Sequence, residues 1–176
     1  MLHTLVILVE DLPGVLNRVA SLFRRRTFNI ESLTVGHTDV DGISRMTVTV
    51  EGDDHHIDRL THYLYKLVNI IQIEDLTYKQ VVKRDLALIK VSTVSDKRSE
   101  IFQMVEVFRA RIIDVTNQSV IVEITGDIEK IDGFVEVLKP LGIIEMVRTG
   151  SVAMERGPDS LFHAENGYQE LTQSMN

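Results

Sequence analysis

"DLALIKVST", residues 85–93, is a short apolar run opened by an acidic residue, and it restarts a pattern already written once at "LHTLVILV", residues 2–9. Each run reads as a strand, and each is followed by residues with helical spacing. In the first pass, Leu16, Val19, Ala20 and Phe23 recur every three or four positions over 14–26, which places them on one helical face. Two alternating stretches follow, "FNIESLTVG" (28–36) and "ISRMTVTVEG" (43–52), with Met46, Val48 and Val50 on one face and the turn residues "HTDVDG" between them. A second helix carries Ile57, Leu60, Leu64 and Leu67, with Asp53 or Asp54 placed to cap it, and the pass ends in "NIIQIEDLTY" (69–78).

The second pass repeats that order. After the strand at 85–93 come a helix over 97–109 (Ile101, Val105, Phe108), strands at 111–117 and 119–126, a helix over 128–138 (Ile131, Val135, Leu138) and a strand at 143–154. The expected fold is α+β, two tandem ferredoxin-like βαββαβ domains, each a four-stranded antiparallel sheet with both helices on one face. The division runs 1–78, 79–157 and a polar tail, 158–176, anchored only by Leu161, Phe162, Tyr168 and Leu171; disorder and one short docked helix are both open for it. Each sheet is expected to leave one face uncovered and its outer strands unpaired, and units this small favour dimerisation through edges or open faces.

Composition narrows the function classes. The 176 residues contain no cysteine, which removes disulfides, thiolate metal sites and cysteine nucleophiles and fits a reducing compartment such as the cytoplasm. A formal net charge of -7 argues against nucleic acid or an anionic membrane as a general partner, since both need clustered Lys and Arg. Arg24–Arg26 is the single basic run, and it sits at a helix C-terminus, where the dipole favours cations; the same cluster would also suit an acidic partner. The apolar N-terminal run spans about eight residues, too few for a membrane helix of about 20, and it has neither the basic flank nor the cleavage site of a signal peptide.

No catalytic constellation is written in the chain: there is no nucleophile elbow, HExxH, Walker loop or GxGxxG. His55, His56 and His62 share a helix, but adjacent residues point about 100° apart and a seven-residue gap spans two turns, so a solvated face is expected and no metal site. Asp39 and Asp41 read as a polar hairpin tip. The remaining candidate is "EDLPGVLNRV", residues 10–19. Asp11 is placed to cap the helix and Pro13 suits its first turn. Gly14 permits close approach to the backbone, and the amides of Gly14, Val15 and Leu16 form a positive pole for a carboxylate or phosphate. From the residues alone an ordinary cap and an anion site are both open. Asn29, where the helix yields to the next strand, is either a turn residue or a recognition amide.

These stretches resemble the small, regulatory subunit family of acetolactate synthase, also called acetohydroxyacid synthase. "LVEDLPGVLNRVASLFRRRTFNIESLTVG" (8–36), "SRMTVTVEGD" (44–53) and "YKLVNIIQIEDLT" (65–77) resemble its N-terminal ACT domain; "RDLALIKV" (84–91), "FRARIIDVT" (108–116) and "VRTGSVAMERG" (147–157) resemble its C-terminal domain. The likeness runs over about residues 1–157. It implies a non-catalytic protein that joins a large catalytic subunit carrying thiamine diphosphate, FAD and Mg²⁺, raises its activity, and confers feedback inhibition by a branched-chain amino acid, valine foremost. It implies a homodimer through the ACT domains with the effector between them. Asp11, Leu12, Pro13, Gly14, Val15 and Leu16 would hold the effector carboxylate, and Asn29 and Ile30 of the other chain would meet its ammonium and side chain, with Gly36 nearby. No catalytic residue, metal ligand or cofactor is implied in this chain. A free-standing ACT-domain sensor of an amino acid, with no synthase partner, is the alternative.

Two positions depart from the family pattern. Asp11 stands where Asn is usual and brings a carboxylate toward the effector's own, a repulsion of about 1 kcal/mol at a partly wet site. Thr27 stands where Gly is frequent, so a positive-φ turn is disfavoured there.

Overall fold

An unbroken apolar run, as opposed to an alternating one, marks a strand buried on both faces, and β1 (Leu2–Glu10) is such a strand in the computed structural model, which describes residues 1–93 and 97–158. It is followed by α1 (Val15–Arg25), β2 (Ile30–His37), β3 (Ile43–Glu51), α2 (Asp54–Leu64) and β4 (Ile70–Asp75). The sheet order is β2-β3-β1-β4. β1 runs antiparallel to β3, from Leu2 opposite Glu51 to Glu10 opposite Ile43, and antiparallel to β4 on its other side. This is the βαββαβ unit expected for the first half of the chain, and β2 is its outer strand.

One face of the sheet packs on the helices. Leu5, Ile7 and Val9 of β1 and Met46, Val48 and Val50 of β3 meet Val15, Val19, Leu22 and Phe23 of α1 and Ile57, Leu60 and Leu64 of α2. The buried stripe of α1 therefore begins at Val15 and not at the expected Leu16, which is 43% exposed. The other face was expected to be bare and is not: Val6, Leu8 and Ile43 form a second core with Leu76 and Ala153, flanked by Val40, Ile71 and Val81. β4 serves both cores because its pairing with β1 shifts between Leu8 and Val9. Ile73 consequently joins the helix-side core and Ile71 the other, although their two-residue spacing predicts a shared face.

The turn after α1 also departs from expectation. Thr27 adopts φ 59°, with its amide donating to Arg24 O (3.1 Å) and the Phe28 amide to Phe23 O (3.0 Å). That pair of bonds is the Schellman closure usually built on glycine, so the left-handed turn forms despite the β-branched residue. The second unit repeats it, with Arg109 at φ 52° and the amides of Arg109 and Ala110 donating to Glu106 and Val105.

The second sheet is built from β5 (Val81–Ser92), β6 (Arg111–Val115), β7 (Ser119–Gly126) and β8 (Ile143–Arg148) in the order β6-β7-β5-β8, with α3 (Arg98–Val107) and α4 (Ile128–Gly142). Here β5 does alternate: Ala87, Ile89 and Val91 are buried with α3 and α4, while Leu86, Leu88 and Lys90 between them are half-buried. α4 continues past the expected end at 138, through Pro140, and stops at Gly142, whose φ is 98°.

The strand expected over 143–154 is two strands. It breaks after Arg148, with Gly150 at φ 136°, and β9 (Val152–Glu155) pairs with β5. The Arg156 amide donates to Gln80 O (2.8 Å), and the Ala153 side chain enters the second core of the first unit. Among the described residues, one compact unit thus takes in Met1–Val82 and 153–158, and the other lies within Lys83–Val152. Of the expected tail, 158–176, all but its first residue lies outside the described residues.

Candidate effector site

Between β1 and α1 the chain turns on backbone bonds alone. The Asp11 amide donates to Gly42 O (2.8 Å), Leu12 to Glu10 O (3.0 Å) and Val15 to Leu12 O (3.3 Å). Gly14, in the left-handed region at φ 86°, is the N-cap residue, and no side chain bonds to the helix end. Three expectations are corrected by this geometry. Asp11 does not cap α1, Pro13 lies outside the helix by one residue beyond the cap, and the Val15 amide is already engaged. A Cβ on Gly14 would meet nothing within 4 Å, so glycine is required by its φ and not by crowding. The result is a helix N-terminus with its partial positive charge unanswered by any side chain, flanked by exposed Leu12 and Leu16.

The loop is held from beneath by a network that sequence reading missed. Arg18 of α1 donates to the Asn69 side-chain oxygen, and Asn69 Nδ2 donates to Glu10 Oε2 (2.6 Å). The Glu10 amide returns a bond to Asn69 O (3.0 Å). Asn69 is buried, and its three bonds to Arg18 and Glu10 fix the end of β1, the first turns of α1 and the start of β4 together. Arg18 and Asn69 are 51 residues apart, so no local pattern marks them.

Asp11 turns away from the helix and pairs with His37, Oδ2 to Nδ1 3.1 Å, with 44% and 84% of the two side chains exposed. His37 ends β2, and Gly36 precedes it, opposite Arg45 of β3. The contact brings Gly36 to the Asp11–Leu16 loop. It does not bring Asn29 and Ile30, which stand at the start of β2, seven residues or about 20 Å away along the strand. Asn29 is exposed and donates to Glu31, while Ile30 packs partly against the helix-side core.

The other candidates have structural partners. His56 takes part in the cap of α2: its amide donates to Asp53 Oδ1 (2.8 Å) and its Nδ1 meets Oδ2 (2.7 Å). The backbone bond holds the Asp53 carboxyl below its ordinary range. His62 Nδ1 meets the Asp58 carbonyl. Arg26 stacks over the Tyr63 ring at 3.6 Å, with Lys66 at 5.3 Å, so part of the basic run is spent on an aromatic face. His3, also missed, is buried beside Asp75 (3.3 Å) and Asp54 (3.5 Å). Among the described residues no three His, Asp or Glu side chains converge on a common point as metal ligands, and no helix is long and apolar enough to cross a membrane.

Comparison with known proteins follows the same two halves. Residues 5–72 match the family model for the AHAS small subunit-like ACT domain, and 84–157 match that for the small subunit of acetolactate synthase. A probable acetolactate synthase small subunit of Archaeoglobus fulgidus is 50% identical over 157 residues, 89% of this chain and 98% of that one. The acetolactate synthase small subunit of Mycobacterium leprae is 47% identical over 156 residues, 89% and 93% of the two chains. Among solved structures, the acetolactate synthase small subunit of Thermotoga maritima is 41% identical and superposes with a TM-score of 0.85, covering 90% of this chain and 99% of its own.

Proposed function

Because the chain belongs to the acetolactate synthase small-subunit family, we propose that it binds the catalytic subunit of that enzyme, raises its activity, and makes it sensitive to feedback by a branched-chain amino acid, valine foremost. Acetolactate formation from pyruvate, and with it thiamine diphosphate, FAD and Mg²⁺, belongs in this reading to the catalytic subunit. The reading places the assembly in the cytoplasm.

The observation that carries the effector part is the α1 N-terminus. Its amides are uncapped by any side chain, its cap is a left-handed glycine whose absent Cβ would meet open space, and its loop touches the end of outer strand β2 through Asp11 and His37. A zwitterionic amino acid offers a carboxylate for that positive pole, while Leu12 and Leu16 offer apolar surface to its side chain.

The rest of the site comes from a second copy. Pairing two β2 edges antiparallel about a two-fold axis sets the start of one strand against the end of the other. Asn29 and Ile30, remote from the loop within one chain, then reach the loop of the other. Exposed Val35 on β2 supports that edge as an interface. Regulation follows from differential binding: the effector favours the dimer arrangement that activates the catalytic subunit less, and catalytic subunit and effector weaken each other's binding by the same factor.

The test is to mix the purified chain with its catalytic subunit and titrate valine, leucine and isoleucine. Acetolactate formation is expected to rise on mixing and to fall with valine at the lowest concentration. No rise and no fall with any of the three would reject the regulatory role; a rise without inhibition would reject the effector site alone.

A further inference from the structure

Asp11 poses a problem for the site just described, because its carboxylate lies in the loop that receives an anionic group. The structure places His37 against it at 3.1 Å. The pair joins two segments 26 positions apart in sequence, at the junction of the effector loop and the outer strand. Neither side chain is needed for the core, and the imidazole is 84% exposed, open to protons from solvent. An imidazole changes charge between about pH 5 and 8. Protonated, His37 neutralises Asp11; neutral, it leaves the full negative charge in the loop beside the helix end that receives the carboxylate.

The charged groups on the surrounding elements are otherwise occupied or exposed. Arg18 of α1 and Glu10 of β1 are bound to Asn69. Arg45 of β3 donates to Ala153 O at 2.6 Å. Asp39 and Asp41 of the β2–β3 turn are exposed acids that add to the negative charge at that end of the hairpin. Among the described residues His37 is the basic side chain paired with Asp11.

We propose that the Asp11–His37 pair couples effector binding to proton uptake, so that the loop accepts a carboxylate when His37 is protonated and resists it when His37 is neutral. This rests on the effector-site reading and adds to it a residue and a linked ion. Thermodynamic reciprocity requires that a ligand preferring the protonated pair draws a proton onto it.

The experiment is calorimetric titration of L-valine into the full-length protein at pH 7 in buffers of low and high ionisation enthalpy (PIPES and imidazole), with affinities repeated at pH 6 and pH 8. The wild type is expected to take up a fraction of a proton per valine bound and to bind roughly five-fold more weakly at pH 8 than at pH 6, the size of one unit-charge contact near water. His37→Asn should abolish the uptake and hold the affinity at the weak level at both pH values. Asp11→Asn should instead raise the affinity at both pH values, because the repelling carboxylate is gone. That opposite displacement separates the proposal from titration of the other histidines and from a purely structural role. Valine binding with no proton uptake, or uptake that persists in His37→Asn, overturns the coupling and leaves the effector site standing. Absence of measurable binding of valine, leucine or isoleucine to the wild type overturns both.

Discussion

The guanidinium of Arg45 donates to the backbone carbonyl of Ala153, 108 residues further along the chain, at 2.6 Å. This bond holds β9 on the face of the first sheet opposite the helices. Arg45 is partly buried, and desolvation pulls its basicity below the ordinary arginine range, with Glu74 opposing. Lys79 reinforces the attachment by bridging Glu155 and Glu74, whose hydrogen bonds raise its ammonium above the usual lysine value. Arg45→Met keeps the apolar stem and leaves the carbonyl of buried Ala153 unpaired. It should cost about 1–2 kcal/mol and lower the melting temperature of the first unit by several degrees. An unchanged melting curve would mean that the pairing with β5, the Lys79 bridge and Ala153 packing hold β9 without Arg45.

Thr27 and Arg109 carry the same left-handed closure after the first helix of each unit. A β-branched residue in that region costs about 1–2 kcal/mol relative to a right-handed one, part of which glycine gives back as unfolded-chain entropy. Thr27→Gly should therefore stabilise the protein by up to about 1 kcal/mol, and Arg109→Gly by less, since arginine is not β-branched. Urea denaturation with an unchanged slope measures it. A lower midpoint for Thr27→Gly would show that the threonine side chain contributes more than its backbone strain removes.

Both βαββαβ patterns were legible because apolar period and turn residues are local properties. What escaped was set by partners distant in sequence. "SVAM" alternates like the end of the last strand, and nothing nearby announces that it pairs with the start of β5 about 70 residues earlier. The α1 stripe was misplaced by one residue because Val15 and Leu16 both fit the spacing; the left-handed Gly14 fixes which of them faces the sheet. Ile71 and Ile73 were separated by a shift of register that alternation cannot express. At the site, the loop and the open backbone at Gly14 were visible in "EDLPGVL", but the cap expected at Asp11 belongs to Gly14. His37 was not visible, because an exposed histidine beside a polar turn has no distinguishing pattern until Asp11 is found turned toward it.

Gly14 is strained for any other residue by its φ of 86° and crowded by nothing. Gly14→Ala should accordingly cost about 1–2 kcal/mol without a clash, small enough for the chain to remain folded. By disturbing the amides of the α1 N-terminus it should raise the valine concentration needed for half-inhibition several-fold, while the rise in acetolactate formation on mixing with the catalytic subunit persists. Parallel loss of activation and inhibition would point to misfolding and remove Gly14 from the effector site.

Asp53 links stability to pH with a definite sign. Its carboxylate accepts the His56 amide at the start of α2, and that bond lowers its pKa in the folded chain below the ordinary 3.8. A group with a depressed folded pKa contributes fully above its unfolded pKa, and the contribution disappears as pH falls through the folded value. Asp53→Ala should melt below the wild type at pH 7, and the gap should narrow as both are taken from about pH 5 down to pH 2, because the wild type loses the contribution of its ionised carboxylate. Asp53→Asn keeps a capping oxygen without a titrating charge, so its melting temperature should exceed that of Asp53→Ala by an amount that stays constant across the same range. Thermal unfolding followed by circular dichroism measures all three proteins, and a gap between wild type and Asp53→Ala that does not narrow by pH 2 would show that the ionised carboxylate is not what stabilises the helix end.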